Sequence, residues 1–245
     1  PTYLSSGQEF IPATIAQVME DKGIEPSIFI QHRGHSTYLS FGGKPIELVD
    51  ELLGRESGCA NGMGGSASIQ CKEKKIYGHD GLMGSQVPIG VGHCFATRKP
   101  TIVFVGDSAA EEDYSLSAIG WAVTKKLPIL FVIEDNNLSI LTKKKVRRSW
   151  EMSDVATGFG MKHSYNISDN PSVIKKHMKN VFEEPMLLNI NTNRRYWHAG
   201  PGCDNENIFN RYEDELLKLG RKAQIIDLGN KKLVEELWKS QLEKQ

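Results

Sequence analysis

The sequence lacks the features that mark membrane-spanning and nucleic-acid-binding proteins. Its longest apolar runs, such as Ile129 to Ile133, have the length of strands and fall far short of the roughly 20 residues that cross a bilayer. No basic-then-apolar leader opens the chain. Lys plus Arg and Asp plus Glu both total 30, so no global field favours nucleic acid or an anionic membrane. We expect a soluble cytoplasmic protein whose anion sites are local.

Cysteine is also scarce, with four residues in the chain. They lie too far apart for the short paired spacings of zinc ribbons, and the chain is too large for a disulfide scaffold. We interpret them as reduced thiols. The chain also lacks internal repeats and a Gly-x-Gly-x-x-Gly turn between a strand and a helix, which argues against a nicotinamide-dependent enzyme.

What the sequence does contain is the pattern of one α/β domain. With 245 residues, 39% of them hydrophobic, the chain can bury a sizeable core. A β-branched run from Thr101 to Val105 is followed by a helical stretch, Tyr114 to Thr124, and by a second apolar run, Pro128 to Ile133. Both runs are apolar on both faces, which predicts a three-layer α/β fold, a parallel sheet with helices on both faces. We predict a single domain over residues 1–245 with a helical tail from about residue 205.

Glycine is concentrated in two stretches ahead of this unit. Five glycines lie between Gly54 and Gly65, and a second set precedes a predicted helix from Val87 to Ala96. Such backbone usually turns sharply or approaches a neighbour closely. We therefore predict that a ligand meets main chain in these loops.

Two polar side chains, Asp107 and Asn137, follow the two apolar runs. In parallel sheets, ligands gather at the carboxyl ends of the strands. Mg²⁺ prefers oxygen ligands and commonly takes one or two protein carboxylates, leaving other positions to phosphates and water. The pair therefore predicts a magnesium site, although a strand-end aspartate in isolation is more often a helix cap.

The segment from Gly106 to Asn137 resembles a known cofactor motif. Gly106-Asp107-Ser108, a gap of 27 residues and Asn136-Asn137 are similar to the thiamine diphosphate motif, Gly-Asp-Gly followed after a similar gap by Asn-Asn. Other segments resemble, in the same order, blocks of the alpha subunit of thiamine diphosphate-dependent 2-oxo acid and acetoin dehydrogenases, first-component enzymes of the transketolase-like superfamily. These segments are Ser6–Glu9, His32–His35, Gly62–Ser66, Gly84–Gly90 and Leu127–Ile129.

The resemblance implies a site for thiamine diphosphate and Mg²⁺. It makes Asp107, the Asn137 side chain and the Ser139 carbonyl the metal ligands. The guanidinium fork of Arg33 suits a diphosphate, and His32 stands where many relatives have tyrosine. The positions that would line the cofactor are His32, Arg33, Gly81, Met83, Gly106, Asp107, Ser108, Ala109, Asn137 and His198.

Two histidines, His35 and His198, occupy active-site positions by the same resemblance. Imidazole donates to phosphates or moves protons near neutral pH, so either histidine suits a catalytic role. The alternative readings are a structural histidine for His35 and an ordinary loop histidine for His198.

Several positions depart from the pattern. Ser108 replaces a glycine, and Tyr3 lies where many relatives place an active-site histidine. The acidic Glu111-Glu112-Asp113 run stands close to a diphosphate, which it would repel, so we expect these carboxylates to point outward. We interpret the basic run, Lys143 to Lys145 with Arg147 and Arg148, as a solvated loop.

The resemblance implies an alpha-type, diphosphate-binding subunit acting on a small 2-oxo acid or acetoin-like substrate, by decarboxylation and acyl or aldehyde transfer. In the family the glutamate that activates the cofactor comes from a second polypeptide or domain. We therefore expect a separate beta-like subunit, an alpha2beta2 heterotetramer, and no nucleic-acid or membrane partner. The alternatives are a split transketolase-like or carboligase subunit in sugar or secondary metabolism, and a non-catalytic interaction protein that kept the fold.

Overall fold

The computed structural model describes residues 1–200, 202–204 and 208–244, and its frame is a parallel sheet. The strands of this sheet are β1 (Ser27–Phe29), β2 (Ile76–Tyr77), β3 (Thr101–Gly106), β4 (Ile129–Asp135), β7 (His163–Ser168) and β8 (Met186–Asn191). Their order is β2-β1-β3-β4-β8-β7, and each pair of neighbours is parallel. The predicted parallel α/β sheet is confirmed.

Helices connect the strands. They are α1 (Phe10–Asp21), α2 (His35–Ser40), α3 (Pro45–Leu52), α4 (Gln86–Thr97), α5 (Asp113–Thr124), α6 (Lys144–Arg147), α7 (Met152–Gly158), α8 (Pro171–His177) and α9 (Arg211–Leu242), with a short 3₁₀ turn at Ala109–Glu111. A small antiparallel ribbon, β5 (Leu138–Ser139) and β6 (Thr142–Lys143), follows β4 and leads into α6. This ribbon folds the chain back over the end of the sheet.

The two central strands are buried on both faces. Ile102 and Phe104 of β3 join a core that includes residues of α1 and α8. Their neighbours Val103 and Val105 point to the opposite face, into a second core with residues of α4, α5 and α7. Successive side chains of a strand alternate between faces, and each side chain fully buried in this way contributes about 1.5–3 kcal/mol. These two cores hold the strand ends in a fixed position.

The register of β3 against β4 decides which polar residues meet. Gly106 pairs with Glu134, so Asp107 follows β3 directly beside the end of β4 at Asp135. The turn after β4 begins at the next residues. The predicted strand-end site is therefore built at the carboxyl edge of adjacent central strands.

The C-terminal segment is a long, mostly exposed helix with a kink. The predicted start of the helical tail, about residue 205, lies outside the described residues, and α9 begins at Arg211. Gly220 interrupts it with φ 73° and ψ −160°, a conformation that glycine adopts at little cost. Arg55 holds the far end through the Gln241 side chain at 3.1 Å. No helix in the described ranges is both long and apolar enough to cross a membrane.

Candidate functional site

Asp107 lies at the end of β3 and is 2% exposed. Its Oδ2 accepts a hydrogen bond from Arg147 Nη2 at 2.5 Å. Burial and the nearby Asp135 raise the pKa of the Asp107 carboxyl to about 6, against the opposing effect of Arg147 and Arg148. The 3₁₀ turn that follows has no side-chain cap, so the helix-cap alternative does not describe this aspartate.

The turn after β4 presents two asparagines. Asn137 has φ 65°, a left-handed conformation that asparagine adopts more readily than most residues. Its Oδ1 accepts from the Lys144 backbone N–H at 3.2 Å. Asn136 accepts from the Leu138 N–H at 3.1 Å and donates to Gln8 Oε1 at 2.9 Å. Sequence reasoning named Asn137 as a metal ligand and gave Asn136 no role, whereas the structure places amide oxygens of both in the same turn.

The ribbon brings two serines together across the strand ends. Ser108 Oγ lies 2.9 Å from Ser139 Oγ, although the residues are far apart in sequence. Ala109 starts the 3₁₀ turn, and a Cβ added to Gly84 would lie 2.6 Å from the Ala109 carbonyl oxygen. The glycine at position 84 therefore allows the second glycine loop to approach the strand-end site.

The basic run enters this site, so its interpretation as a solvated loop is wrong for three of its members. Arg147 donates to Glu111 Oε1 at 3.0 Å, and Arg148 lies 3.2 Å from the same oxygen. Lys144 lies 2.7 Å from Asp135 Oδ2. The expectation that Glu111 points outward is wrong for the same reason: two guanidinium groups draw its carboxylate inward, while Glu112 and Asp113 are exposed.

Carboxylates and cations alternate in this network. The described cluster contains three cations, Lys144, Arg147 and Arg148, and four carboxylates: Asp107, Glu111, Asp135 and the partly exposed Glu151, which lies 3.0 Å from Lys144. Burial would raise the pKa of Asp135, but hydrogen bonds from Lys144 and Asn189 hold it below its ordinary value. The strand-end network thus holds one more carboxylate than cations, and the extra carboxylate is the partly exposed Glu151 at its edge.

Arg33 provides a second, different electrostatic feature. Its guanidinium is buried and donates to two carbonyl oxygens, Leu4 O at 2.7 Å and His198 O at 3.0 Å. Among the described residues no carboxylate lies within ion-pair distance of it. Burial and the nearby Arg194 lower its pKa to about 10, so it remains charged near pH 7. A buried cation without an anionic partner favours binding of an anion.

Three imidazoles gather beside Arg33. The His32 ring lies 5.4 Å from the His198 ring and 5.9 Å from the His79 ring, and Tyr3 packs edge-on against His32 at 4.9 Å. Burial lowers the pKa of His32 to about 3 and lowers the pKa of His79 and His198. The rings are therefore neutral near pH 7, each with one N–H to donate.

Part of this imidazole group has no internal hydrogen bond. His32 Nε2 and both ring nitrogens of His79 are buried without a partner among the described residues. Buried polar atoms are normally satisfied, so these nitrogens indicate a missing acceptor or donor. Sequence reasoning missed His79, because no motif distinguishes it from an ordinary core histidine.

His35 is held next to the first glycine-rich loop. Its Nε2 lies 2.8 Å from Ser66 Oγ, which also accepts the Tyr3 N–H at 2.8 Å. Burial lowers the pKa of His35. The structure thus joins His35 and His198 through Tyr3, whose ring lies 5.5 Å from the His198 ring.

The first glycine-rich loop uses its amides internally. The Glu51 carboxylate accepts the backbone N–H groups of Ala60, Gly62, Gly64 and Gly65 at 2.7–2.9 Å. The prediction that main chain here meets a ligand is not supported for these four amides. They serve instead to shape the loop that ends at Ser66.

The remaining predicted positions lie in the second glycine loop and on β3. Gly81 has φ 100°, with open space around it. The Met83 carbonyl accepts a hydrogen bond from the Tyr114 hydroxyl. Gly106 lies close to Gln31, whose Oε1 would be 3.2 Å from an added Cβ. The predicted backbone role of Gly81 and Met83 stays a prediction.

Comparison with known proteins identifies the family. Residues 2–245 match the family model described as Dehydrogenase E1 component. The chain belongs to the dehydrogenase E1 component family. This membership confirms the resemblance that the motifs indicated.

Named relatives of this E1-family chain are alpha subunits. It is 30% identical over 211 residues to the pyruvate dehydrogenase E1 component subunit alpha of Rickettsia bellii, covering 80% of this chain and 63% of that protein. It is 36% identical over 185 residues to the mitochondrial subunit alpha-1 of the same enzyme from Oryza sativa subsp. japonica, covering 71% and 47%. The chain thus spans less than two thirds of the length of these curated relatives.

A solved structure shows the same fold. Transketolase from Campylobacter jejuni superposes with a TM-score of 0.56 at 14% identity, over 75% of this chain and 36% of that one. At this identity the similarity concerns the fold alone. It agrees with the transketolase-like α/β architecture expected from the sequence.

Membership of the E1 family implies thiamine diphosphate with Mg²⁺, and the described residues fit both groups. Asp107 and the asparagine turn supply oxygen donors of the kind Mg²⁺ prefers. No cluster of three or more His, Cys, Asp or Glu side chains in the described ranges forms an alternative metal centre. The carboxylate of Asp107 already binds a cation, the guanidinium of Arg147. Arg33 and the unpartnered imidazole nitrogens of His32 and His79 suit an anionic diphosphate.

Proposed function

We propose that this chain is the alpha-type, diphosphate-binding subunit of a thiamine diphosphate-dependent dehydrogenase that acts on a 2-oxo acid or acetoin-like substrate. The observation that carries the proposal is the buried Arg33 guanidinium, which lacks a carboxylate partner among the described residues. A buried cation held in this way by two carbonyl oxygens favours binding of an external anion. Asp107, at the end of β3, supplies the complementary carboxylate for the metal.

The proposed roles follow the positions in the site. Asp107, the Asn137 side chain and the Ser139 carbonyl hold Mg²⁺. The diphosphate lies against Arg33 and His32, with Gly106, Ser108 and Ala109 lining its strand-end side. The backbone of Gly81 and Met83 faces the aminopyrimidine, in a loop whose neighbour Gly84 allows close approach to Ala109.

Thiamine diphosphate, when bound, supplies a carbon nucleophile for attack on a substrate carbonyl. The chain's own contribution is binding, orientation and proton handling. His198 is neutral near pH 7 because burial lowers its pKa, so it donates a hydrogen bond without adding charge. His35 is fixed through Nε2 on Ser66 Oγ, which leaves Nδ1 as the nitrogen available for a proton.

The proposal includes a partner. The glutamate that activates the aminopyrimidine comes from a separate beta-like subunit, and the assembly is an alpha2beta2 heterotetramer with its active site between the subunits. The naming of the relatives as alpha subunits supports this division of labour. We also propose a cytoplasmic compartment, in keeping with four cysteines that stay free.

Calorimetric titration of thiamine diphosphate into the chain, with its co-produced partner and with or without Mg²⁺, tests the proposal. We expect binding that requires Mg²⁺, tightens with the partner and is lost in Asp107→Ala. Asp154→Ala, which removes an exposed carboxylate of α7, is the matched control and should bind like the wild type. Absence of binding in every combination would leave a non-catalytic interaction protein as the better account.

A further inference from the structure

The metal-ligand position Asp107 is already occupied by a cation of the chain itself. Arg147 Nη2 lies 2.5 Å from Asp107 Oδ2. The same guanidinium donates to the Thr142 carbonyl at 2.9 Å and to Glu111 Oε1 at 3.0 Å. Its side chain is 14% exposed, so the contact is enclosed and not a surface ion pair.

Arg147 is attached to the same turn that carries the asparagines. It is the last residue of α6, whose first amide, Lys144 N–H, donates both to the Asn137 carbonyl at 3.0 Å and to Asn137 Oδ1 at 3.2 Å. Asn137 and Arg147 therefore lie on one short unit, the β5-β6 ribbon and α6. A movement that turns the Asn137 amide oxygen toward a metal also moves the backbone that holds Arg147.

A divalent ion and this guanidinium compete for one carboxylate. Mg²⁺ requires close, near-octahedral oxygen ligands, whereas Asp107 Oδ2 already accepts a charge-assisted hydrogen bond from Arg147. Two cations in contact with a single buried carboxylate repel one another. Metal binding through Asp107 Oδ2 thus requires Arg147 to withdraw.

Glu111 is a second carboxylate partner of Arg147. This carboxylate contacts Arg147 through both Nε, at 3.3 Å, and Nη2, at 3.0 Å, so the guanidinium keeps an ion-pair partner after leaving Asp107. Glu111, an acidic residue beside a diphosphate site, would by itself repel the cofactor. In this arrangement it is the carboxylate that keeps Arg147 ion-paired. The charges of Glu111 and Arg147 thus compensate each other.

We infer that Arg147 is a positioning residue. Before metal binds, its guanidinium is the cation paired with Asp107, and when the divalent metal binds, the guanidinium leaves Asp107 and stays paired with Glu111. The inference rests on the proposed function, because it takes Asp107 as the metal ligand. Metal affinity is then set by a competition between Arg147 and the metal, and substitutions at Arg147 and Glu111 shift it in opposite directions. Shifts larger than those of exposed charge variants in the same segments distinguish this competition from the loss of one nearby charge.

The test uses Mn²⁺ in place of Mg²⁺, with the free-ion electron paramagnetic resonance signal reporting binding to the full chain, with and without thiamine diphosphate. Arg147→Gln should lower the half-saturating Mn²⁺ concentration about tenfold, a common size for coupling between competing ligands. Arg147→Lys, which restores the cation, should return it toward the wild-type value. Lys145→Gln, in the same helix but exposed, controls for the loss of charge and should change it less than about twofold.

Glu111→Gln should raise the half-saturating Mn²⁺ concentration, since Arg147 then has Asp107 as its remaining carboxylate. The exposed neighbour variant Glu112→Gln controls for the lost negative charge. Unchanged or weaker metal binding in Arg147→Gln would overturn the inference while leaving the proposed function intact. A wild-type chain that binds neither Mn²⁺ nor thiamine diphosphate, alone or with its partner, would overturn both.

Discussion

Substitution of Glu51 should destabilise the first glycine-rich loop and leave the sheet intact. It is 1% exposed, and its two carboxylate oxygens each accept two backbone N–H groups of the first glycine-rich loop. A carboxylate that accepts several amides makes charge-assisted bonds stronger than neutral ones. The loop that ends at Ser66 therefore depends on one side chain of α3.

Glu51→Gln preserves the size of the side chain but replaces one acceptor oxygen by an NH₂ group. That group faces two N–H donors, which lose their acceptor. An unmet buried donor costs about 1–3 kcal/mol, and because neighbouring losses are not additive we expect the free energy of unfolding to fall by about 3 kcal/mol. The sheet should remain intact, since its cores lie elsewhere.

Urea unfolding of the wild type, Glu51→Gln and Glu56→Gln measures this loss. Glu56 is an exposed residue of the same loop, so its variant should stay within about 0.5 kcal/mol of the wild type. Hydrogen exchange should show faster exchange at Gly62, Gly64 and Gly65. If Glu51→Gln matched Glu56→Gln in both measurements, the two hydrogen bonds lost in the variant would contribute nothing, and our account of the loop would be refuted.

Two further predictions concern the strand-end region. Burial raises the pKa of Glu134 from 4.5 to about 7, so between these values the folded chain binds a proton at Glu134 that the unfolded chain releases. The contribution of Glu134 to stability should fall as pH rises through that window, by on the order of 3 kcal/mol. Asp107 and the buried histidines titrate in both variants, so the difference between the wild type and Glu134→Gln in urea unfolding at pH 5, 6 and 7.5 measures this contribution. Asn137→Ala should weaken Mg²⁺-dependent binding of thiamine diphosphate by about tenfold or more in the same calorimetric titration. Asn136→Ala should change that binding less and should mainly lower the free energy of unfolding, because it removes the bond to Gln8. The reverse ranking of the two variants in binding would assign the metal to Asn136.

Local sequence patterns alone determined the central part of this protein. The runs that became β3 and β4 are apolar on both faces, as in strands covered on both sides. The strands end within two residues of where that pattern stops. Asp107 and Asn137 were thus placed at the sheet edge without any long-range information. The glycine-rich loop was also located correctly, because glycine marks unusual backbone wherever it lies.

Only the tertiary structure decided what surrounds those strand ends. A basic run in a solvated loop has the same local sequence pattern as a basic run that neutralises a buried carboxylate. The pairing of Arg147 with Asp107 and Glu111 depends instead on the register of β3 with β4 and on the ribbon after β4. The four amides around Glu51 and the unpartnered His79 nitrogens are equally hidden. Their energies come from contacts between residues distant in sequence, or from burial, and neither is encoded in local spacing.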